Sequence, residues 1–249
     1  MPRVLVFIPT YNENDNVERM CREIASLSLD ADLLFMDDNS PDGTGRTLDL
    51  LAQKIPRMTV VHRAAKLGIG GAHLDGLEYA YDHGYEKLVT MDCDFTHSPS
   101  DIPMMLARSD AADVTIASRY LEHDSLPGWS LWRKALTTAG HVVTTNVLGI
   151  ANDATGAFRV YDLRALPREV FEMVTARGYA FFFQSLFILH QNGYRLADVP
   201  IRLPARTQGH SKMSHLEIAR SVSQLVRLYL ASKANPERFR MQGNPATRG

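Results

Sequence analysis

Residues 88–99 read Leu-Val-Thr-Met-Asp-Cys-Asp-Phe-Thr-His-Ser-Pro, an apolar run that stops at two carboxylates, Asp92 and Asp94, separated by Cys93. If 87–91 is a strand of a parallel sheet, its carboxyl end opens onto the crevice where such sheets bind ligands. Both carboxylates then reach one hard cation. Mg²⁺ or Mn²⁺ held in this way completes its shell with phosphate oxygens. Asp-x-Asp is a common tripeptide, however, and the same residues also serve to cap a helix or solvate a turn. The metal reading therefore depends on what the chain places beside them.

The elements that must do the placing are legible as an alternation. Residues 3–8 form a β-prone run ending at Pro9-Thr10-Tyr11-Asn12-Glu13-Asn14, after which Val17, Met20, Cys21, Ile24 and Leu27 recur at helical spacing. The pattern repeats with a strand at 32–36, a turn-rich segment Asp37-Asp38-Asn39-Ser40-Pro41-Asp42-Gly43-Thr44, and a helix through Leu48, Leu51 and Ile55. A third strand, Met58–His62, leads through Lys66-Leu67-Gly68-Ile69-Gly70-Gly71 into a helix carrying Leu74, Leu77 and Ala80. Beyond the aspartates the pattern predicts a helix over 102–107, a strand Val114–Ser118, a long helix Leu131–Leu148 and an extended run entered through Asp153-Ala154-Thr155-Gly156-Ala157-Phe158-Arg159. A helix over 182–191, a strand over 194–203, a polar loop over 204–212 and an amphipathic helix over 216–230 complete it. Alternating β and α implies an α/β fold with a mostly parallel sheet flanked by helices. A single domain over 1–234 is expected, with 235–249 as a disordered basic tail.

Composition narrows the function classes. A net charge of −1 argues against a general nucleic-acid binder, although the chain is basic beyond residue 205, where Glu217 and Glu237 are the only acids. Two cysteines, Cys21 on an apolar helix face and Cys93 between the aspartates, give no disulfide framework and make a reducing cytoplasm the expected compartment. The apolar runs are too short or too interrupted to cross a bilayer. A dinucleotide-binding fold wants a Gly-rich turn after the first strand, and Pro9-Thr10-Tyr11-Asn12-Glu13 stands there instead. That excludes a Rossmann dehydrogenase and counts against a nucleotidyltransferase. Gly68, Gly70 and Gly71 lack a Walker lysine and are read as allowing close helix packing. Tyr11, Glu13 and Asp38 fall on the first two loops, where a ring face and carboxylates could hold a base and ribose.

Taken together, the segments 9–14, 37–44, 66–70, Asp92-Cys93-Asp94 with His97 and Pro99, Ser118-Arg119-Tyr120 and the loop 206–212 resemble the GT-A glycosyltransferases of family 2, specifically the dolichol-phosphate (polyprenol-phosphate) mannosyltransferases. The resemblance spans residues 4–230. It implies an inverting transfer of mannose from GDP-mannose to a polyprenyl phosphate, with Mg²⁺ or Mn²⁺ on the diphosphate. By position, Pro9, Tyr11, Glu13, Met36 and Asp38 would line the guanosine pocket. Asp92, Cys93 and Asp94 would sit at the donor phosphates, with Asp92, Asp94 and Thr96 as metal ligands. Arg119, Arg133, Arg206 and Lys212 would bind acceptor phosphate and leaving diphosphate, making Asp94, Arg119, Arg206 and Lys212 the catalytic candidates. The nucleophile would be a phosphate already ionised near neutral pH, so no side-chain general base is expected.

Two segments depart from the family pattern: Thr155-Gly156-Ala157 replaces Thr-Ser-Gly, and Leu186 stands where the family has a carboxylate. The second departure puts sugar specificity in question. Transfer from UDP-glucose or UDP-N-acetylglucosamine, and a catalytically silent nucleotide-sugar binding protein, remain open. On the helix over 216–230, Ile218, Val222, Leu225, Val226 and Tyr229 share one face beside Arg220 and Arg227. That pattern fits either packing on the domain or a peripheral contact with the cytoplasmic face of a membrane.

Overall fold

The computed structural model describes residues 3–122, 125–203 and 215–241, and of Arg133, Leu136, His215 and Ile218 the backbone alone. The chain runs β1 (Val4–Thr10), α1 (Asn14–Ser26), β2 (Ala31–Asp37), α2 (Thr44–Ala52), β3 (Met58–His62), α3 (Ile69–Asp82), β4 (Lys87–Thr90) and α4 (Ile102–Arg108). It continues through β5 (Val114–Ser118), α5 (Leu131–Leu148), β6 (Arg159–Asp162), α6 (Glu169–Glu172), α7 (Ala180–Gln191), β7 (Leu196–Pro200) and α8 (His215–Ala234). The strands form one seven-stranded sheet in the order β3-β2-β1-β4-β6-β5-β7. Pairing is parallel except at β6, which runs antiparallel to both neighbours.

Period-2 alternation along the strands builds a core on each face of the sheet. Leu5 and Phe7 of β1, Leu34 and Met36 of β2, and Leu88 of β4 face the layer formed by α3, α6, α7 and the inner side of α8. Val4, Val6 and Ile8, Leu33 and Phe35, and Val89 face α1, α2 and α4. On α1, the spacing Val17, Met20, Cys21, Ile24 becomes one buried stripe. The expected glycine role holds at Gly68 and Gly70, where an added Cβ would lie 2.5 Å from Arg177 O and 2.5 Å from Phe181 Cβ.

Two expectations are corrected. Residues 236–239 are not a free tail: they form a 3-10 turn whose Phe239 is only 5% exposed. The Asn192 side chain clamps this turn, donating to Phe239 O at 2.8 Å and accepting from Met241 N at 2.7 Å. Residues 242–249 lie outside the described residues. The proposed single face of α8 also splits. Leu225 and Leu228 pack inward, while Val222, Val226 and Leu230, four residues apart, are at least half exposed.

The site follows from the strand order. Because β1 is paired with both β2 and β4, the chain changes direction across the sheet at β1, and such a switch point opens a crevice at the carboxyl ends of the strands.

Candidate active site

The loops leaving β1, β2 and β4 each contain a residue in the left-handed region: Asn12 (φ 54°), Asn39 (φ 57°) and Phe95 (φ 57°). Asn tolerates this conformation through its short polar side chain, whereas a bulky residue such as Phe does so at a cost of about 1–2 kcal/mol. The three reversals turn the loops across the strand ends. Backbone to side-chain bonds then join the first two loops: Asn12 N donates to Ser40 Oγ (2.9 Å), Glu13 N to Thr44 Oγ1 (2.9 Å) and Asn14 N to Asp42 Oδ2 (3.1 Å). Although burial opposes it, bonds from Thr44 and Asn14 hold the Asp42 carboxyl below its ordinary range.

These loops enclose a cavity of about 410 Å³. Pro9, Tyr11, Glu13, Asp38, Asp92, Cys93 and Asp94 all line it. Asp38 is buried, and burial pushes its carboxyl up even though Arg63 bonds to it and opposes the shift. Arg63 also reaches Asp75 at 2.9 Å. Lys66 Nζ stands 3.9 Å from the Tyr11 ring centroid, inside the cavity. From the far side, the first turn of α8 brings in Glu217, which is paired with Arg220 at 2.9 Å.

The described lining is strongly acidic: Glu13, Asp15, Asp38, Asp42, Asp92, Asp94 and Glu217 against the single ammonium of Lys66. A diphosphate could enter only with cations to offset that charge. Asp92 and Asp94 present hard oxygens, and among the described residues no three His, Cys, Asp or Glu side chains cluster to form a complete protein cage. Two carboxylates with the remaining positions left to phosphate and water suit Mg²⁺ or Mn²⁺.

Other expected site residues are placed differently. Met36, 3% exposed, is an in-strand residue whose side chain alternates into the apolar layer, outside the cavity lining. Thr96 also lies outside the lining; its hydroxyl donates to Asp94 Oδ1 at 2.6 Å and its N–H to the same oxygen at 3.0 Å. It therefore orients a carboxylate that can hold the cation. Arg119 stands behind the lining, its Nε donating to Asp153 Oδ2 at 2.8 Å, near enough to Asp92 for their charges to interact. Arg206 and Lys212, and the side chain of Arg133, lie outside the described residues.

The two family departures are resolved by packing. Leu186 is fully buried in the apolar layer and lies outside the cavity lining. The nearby Arg159 guanidinium, also fully buried, bonds instead to Ser185 Oγ (3.1 Å), Tyr161 Oη (3.3 Å), Ala154 O (3.3 Å) and Phe182 O (2.9 Å). The Thr155-Gly156 segment packs around Arg119 and Asp153. Sequence reasoning gave no role to Arg63, Lys66, Asp153 or Glu217. Lys66 and Asp153 stand inside motifs already in view, whereas Arg63 and Glu217 reach the site only through β3 pairing and the return of α8.

The sequence profile described as Glycosyl transferase family 2 matches residues 5–171. The chain is 33% identical over 240 residues, 96% of its length and 99% of the relative's, to an undecaprenyl-phosphate mannosyltransferase of Micrococcus luteus. It is 35% identical over 215 residues, 85% of this chain and 81% of the other, to a polyprenol monophosphomannose synthase of Mycolicibacterium smegmatis. Among solved structures, mannosyl-3-phosphoglycerate synthase from Rubrobacter xylanophilus superposes with a TM-score of 0.67 at 18% identity, covering 98% of this chain and 79% of that one. The mannosyltransferase PcManGT from Pyrobaculum calidifontis, solved with GDP-Man and Mn²⁺, superposes with a TM-score of 0.57 at 18% identity, covering 94% and 64%. The GT-A arrangement and the two close relatives agree: this chain is a glycosyltransferase and belongs to glycosyl transferase family 2, the family of the polyprenyl-phosphate mannosyltransferases that it resembles.

Proposed function

We propose that the protein transfers mannose from GDP-mannose to a polyprenyl phosphate, inverting the anomeric carbon, with Mg²⁺ or Mn²⁺ held by Asp92 and Asp94. The observation that carries this reading is the convergence in one cavity of Tyr11, Glu13 and Asp38 with Asp92 and Asp94, in a chain whose relatives bear polyprenyl-phosphate mannosyltransferase names. The GDP-Man and Mn²⁺ in the Pyrobaculum structure support the choice of donor and cation.

Tyr11, Asp38 and Lys66 receive the nucleoside, and Thr96 keeps Asp94 turned towards the diphosphate. When bound, the cation offsets charge that builds on the leaving diphosphate. An acceptor phosphate oxygen forms the new bond to the anomeric carbon as the bond to the diphosphate breaks, and GDP leaves. A phosphate monoester with a second pKa near ~6 is mostly dianionic at pH 7, so the chain need not remove a proton. Its task is to bring two anions together, which falls to Arg119 and, by the family resemblance, to Arg206, Lys212 and Arg133.

The acceptor is a lipid, and the same reading includes peripheral contact with the cytoplasmic membrane face. Among the described residues no helix is long and apolar enough to cross a membrane. The outward stripe of α8, with Arg220 and Arg227 beside it, and the exposed Leu131 and Trp132 of α5 (85% and 75%) have the composition of an interfacial surface.

The test is a panel of GDP- and UDP-sugars with a short polyprenyl phosphate and with the unphosphorylated polyprenol. Mannose on the phosphate alone is expected. A UDP-sugar as the better donor, or transfer to the free alcohol, contradicts the reading.

A further inference from the structure

Asp153 lies behind the cavity lining and has no role in the reading above, yet it is fully buried and bonded at both oxygens. Oδ2 accepts from Arg119 Nε at 2.8 Å and from Arg119 N at 3.4 Å. Oδ1 accepts from Thr155 N at 3.2 Å and Thr155 Oγ1 at 3.1 Å. A carboxylate taken out of water this completely is tolerated only when paired and hydrogen-bonded. Burial alone would push it up; Arg119 and Thr155 hold it below its ordinary range instead.

Arg119 is confined from every side that the structure describes. Its side chain is 11% exposed. Gly156 packs against it, with a Cβ there falling 3.5 Å from Arg119 Nη2 and 3.4 Å from Ala117 O, an ordinary contact. Tyr120 flanks it, with the guanidinium carbon 5.8 Å from the ring centroid, and that ring is stacked on His141 at 3.9 Å. A guanidinium bonded through Nε has its plane fixed and its two Nη groups aimed in one direction. Arg119 interacts electrostatically with Asp92, which lines the cavity. The bonded chain runs Thr155, Asp153, Arg119, and the Asp92 charge at the edge of the donor cavity acts on the guanidinium at its end.

We infer that Asp153 is a positioning residue for sugar transfer: it fixes the Arg119 guanidinium beside Asp92, so that a cation is in place as the leaving diphosphate gains charge. The inference rests on the proposed phosphate chemistry of the cavity. It also gives a reason for Thr155, whose N–H and hydroxyl hold the carboxylate from the side opposite Arg119.

The test is a double-mutant cycle with Asp153→Asn, Arg119→Lys and the pair together, read as kcat and donor KM. Arg119→Lys keeps the positive charge but loses the Nε donor, so it breaks the same link while leaving Asp153 with a cation nearby. Each single variant is expected to lower kcat about 100-fold, the scale for removing one preorganised electrostatic partner, with donor KM within about two-fold. The double variant should be no slower than the slower single one, because residues acting through one contact are non-additive. Multiplying losses in the double variant, or a rise in KM with kcat preserved, makes Asp153 a structural residue only and overturns the inference. A second readout needs no substrate: the Arg119 Nε–H resonance should exchange slowly in the wild type and rapidly in Asp153→Asn. If no polyprenyl phosphate accepts sugar, the functional reading fails and this resonance still decides; slow exchange retained in Asp153→Asn sinks the positioning role.

Discussion

The two halves of the sheet build their shares of the site in different ways. In the parallel half, β3-β2-β1-β4, each loop follows its own strand and places its residues within a short stretch of chain. Tyr11, Asp38 and Asp92 each lie no more than two residues beyond the strand that delivers them. In the mixed half, β6-β5-β7, the contacts join distant segments: Arg119 to Asp153 across 34 residues, and Asn152 to Asp198 across 46. Burial pushes the Asp198 carboxyl up, with the neighbouring Asp153 charge adding to the shift, whereas Asp153 is held down. The lining that these strands contribute to the cavity is thus set by three loops, each next to its own strand. Positioning of the cationic groups depends on tertiary structure, so it tolerates fewer isolated changes.

The sharpest way to break this comparison is at the cation. Asp94→Asn should lower turnover at least about 100-fold while leaving the fold intact, because Asp94 is only partly buried and Thr96 still donates to the remaining carbonyl oxygen. Circular dichroism beside steady-state rates checks both halves of that statement. A comparable loss on adding chelator to the wild type is expected, and turnover undiminished in either case removes the metal assignment.

Next in size is Arg63→Met. Arg63 and Asp38 have side chains 6% and 7% exposed, and removing one partner of a buried pair costs about 3 kcal/mol. Denaturant unfolding measures this. The Asp38 carboxyl is already raised by burial, and without Arg63 it rises further. A raised acid is favoured neutral in the folded state, so its stabilisation is lost as pH rises through the folded pKa. The deficit of Arg63→Met should therefore grow as pH rises above the ordinary carboxylate range. A deficit that does not change with pH would show that Asp38 remains ionised without its partner.

How much of this was legible in the chain follows the same division. The strands Met58–His62 and Val114–Ser118 were readable to the residue and the helix from Leu131 to its approximate end at Leu148, because apolar runs and periodic stripes stop there. The lining residues on the first two loops and the Asp-x-Asp pair were readable for the same reason. Met36 was misjudged because adjacency to Asp38 in sequence says nothing of the face a strand residue takes. Leu186 looked like a lost functional carboxylate because its burial against the apolar layer depends on α7 packing over the sheet. Phe239 was assigned to a free tail because no local pattern announces the Asn192 clamp. Asp153 was visible as a residue but not as the partner of Arg119, since nothing local links positions 34 apart.

His73 probes the seam between the two halves. Its ring lies among Phe7, Phe181 and Phe182, and neither ring nitrogen has a hydrogen-bond partner. Burial, helped by the Arg159 charge, pushes its pKa down to about 3 from 6.5. Between those values the unfolded chain binds a proton that the native state does not, so stability falls as pH drops below about 6.5, by ~1 kcal/mol per pH unit. His73→Phe should flatten that dependence and raise the melting temperature more at pH 5 than at pH 7.5. An unchanged pH slope contradicts the neutral, buried assignment.

The smallest effect on folding is expected at the outward stripe of α8. Val222→Glu with Val226→Glu should shift stability by no more than about 0.5 kcal/mol per site yet reduce flotation with anionic vesicles. Undiminished flotation would place the lipid contact elsewhere.

The proposed function requires that the cavity at the ends of β1, β2 and β4 bind a guanosine diphosphate through a cation held by Asp92 and Asp94. Calorimetric titration of GDP and UDP, with Mn²⁺ and then with excess chelator, tests it most directly. GDP should bind at least about tenfold more tightly than UDP in Mn²⁺, a difference of ~1.4 kcal/mol, and most of that affinity should vanish with chelator or in Asp94→Asn. UDP binding more tightly than GDP, or GDP binding unaffected by removal of the cation, would contradict it.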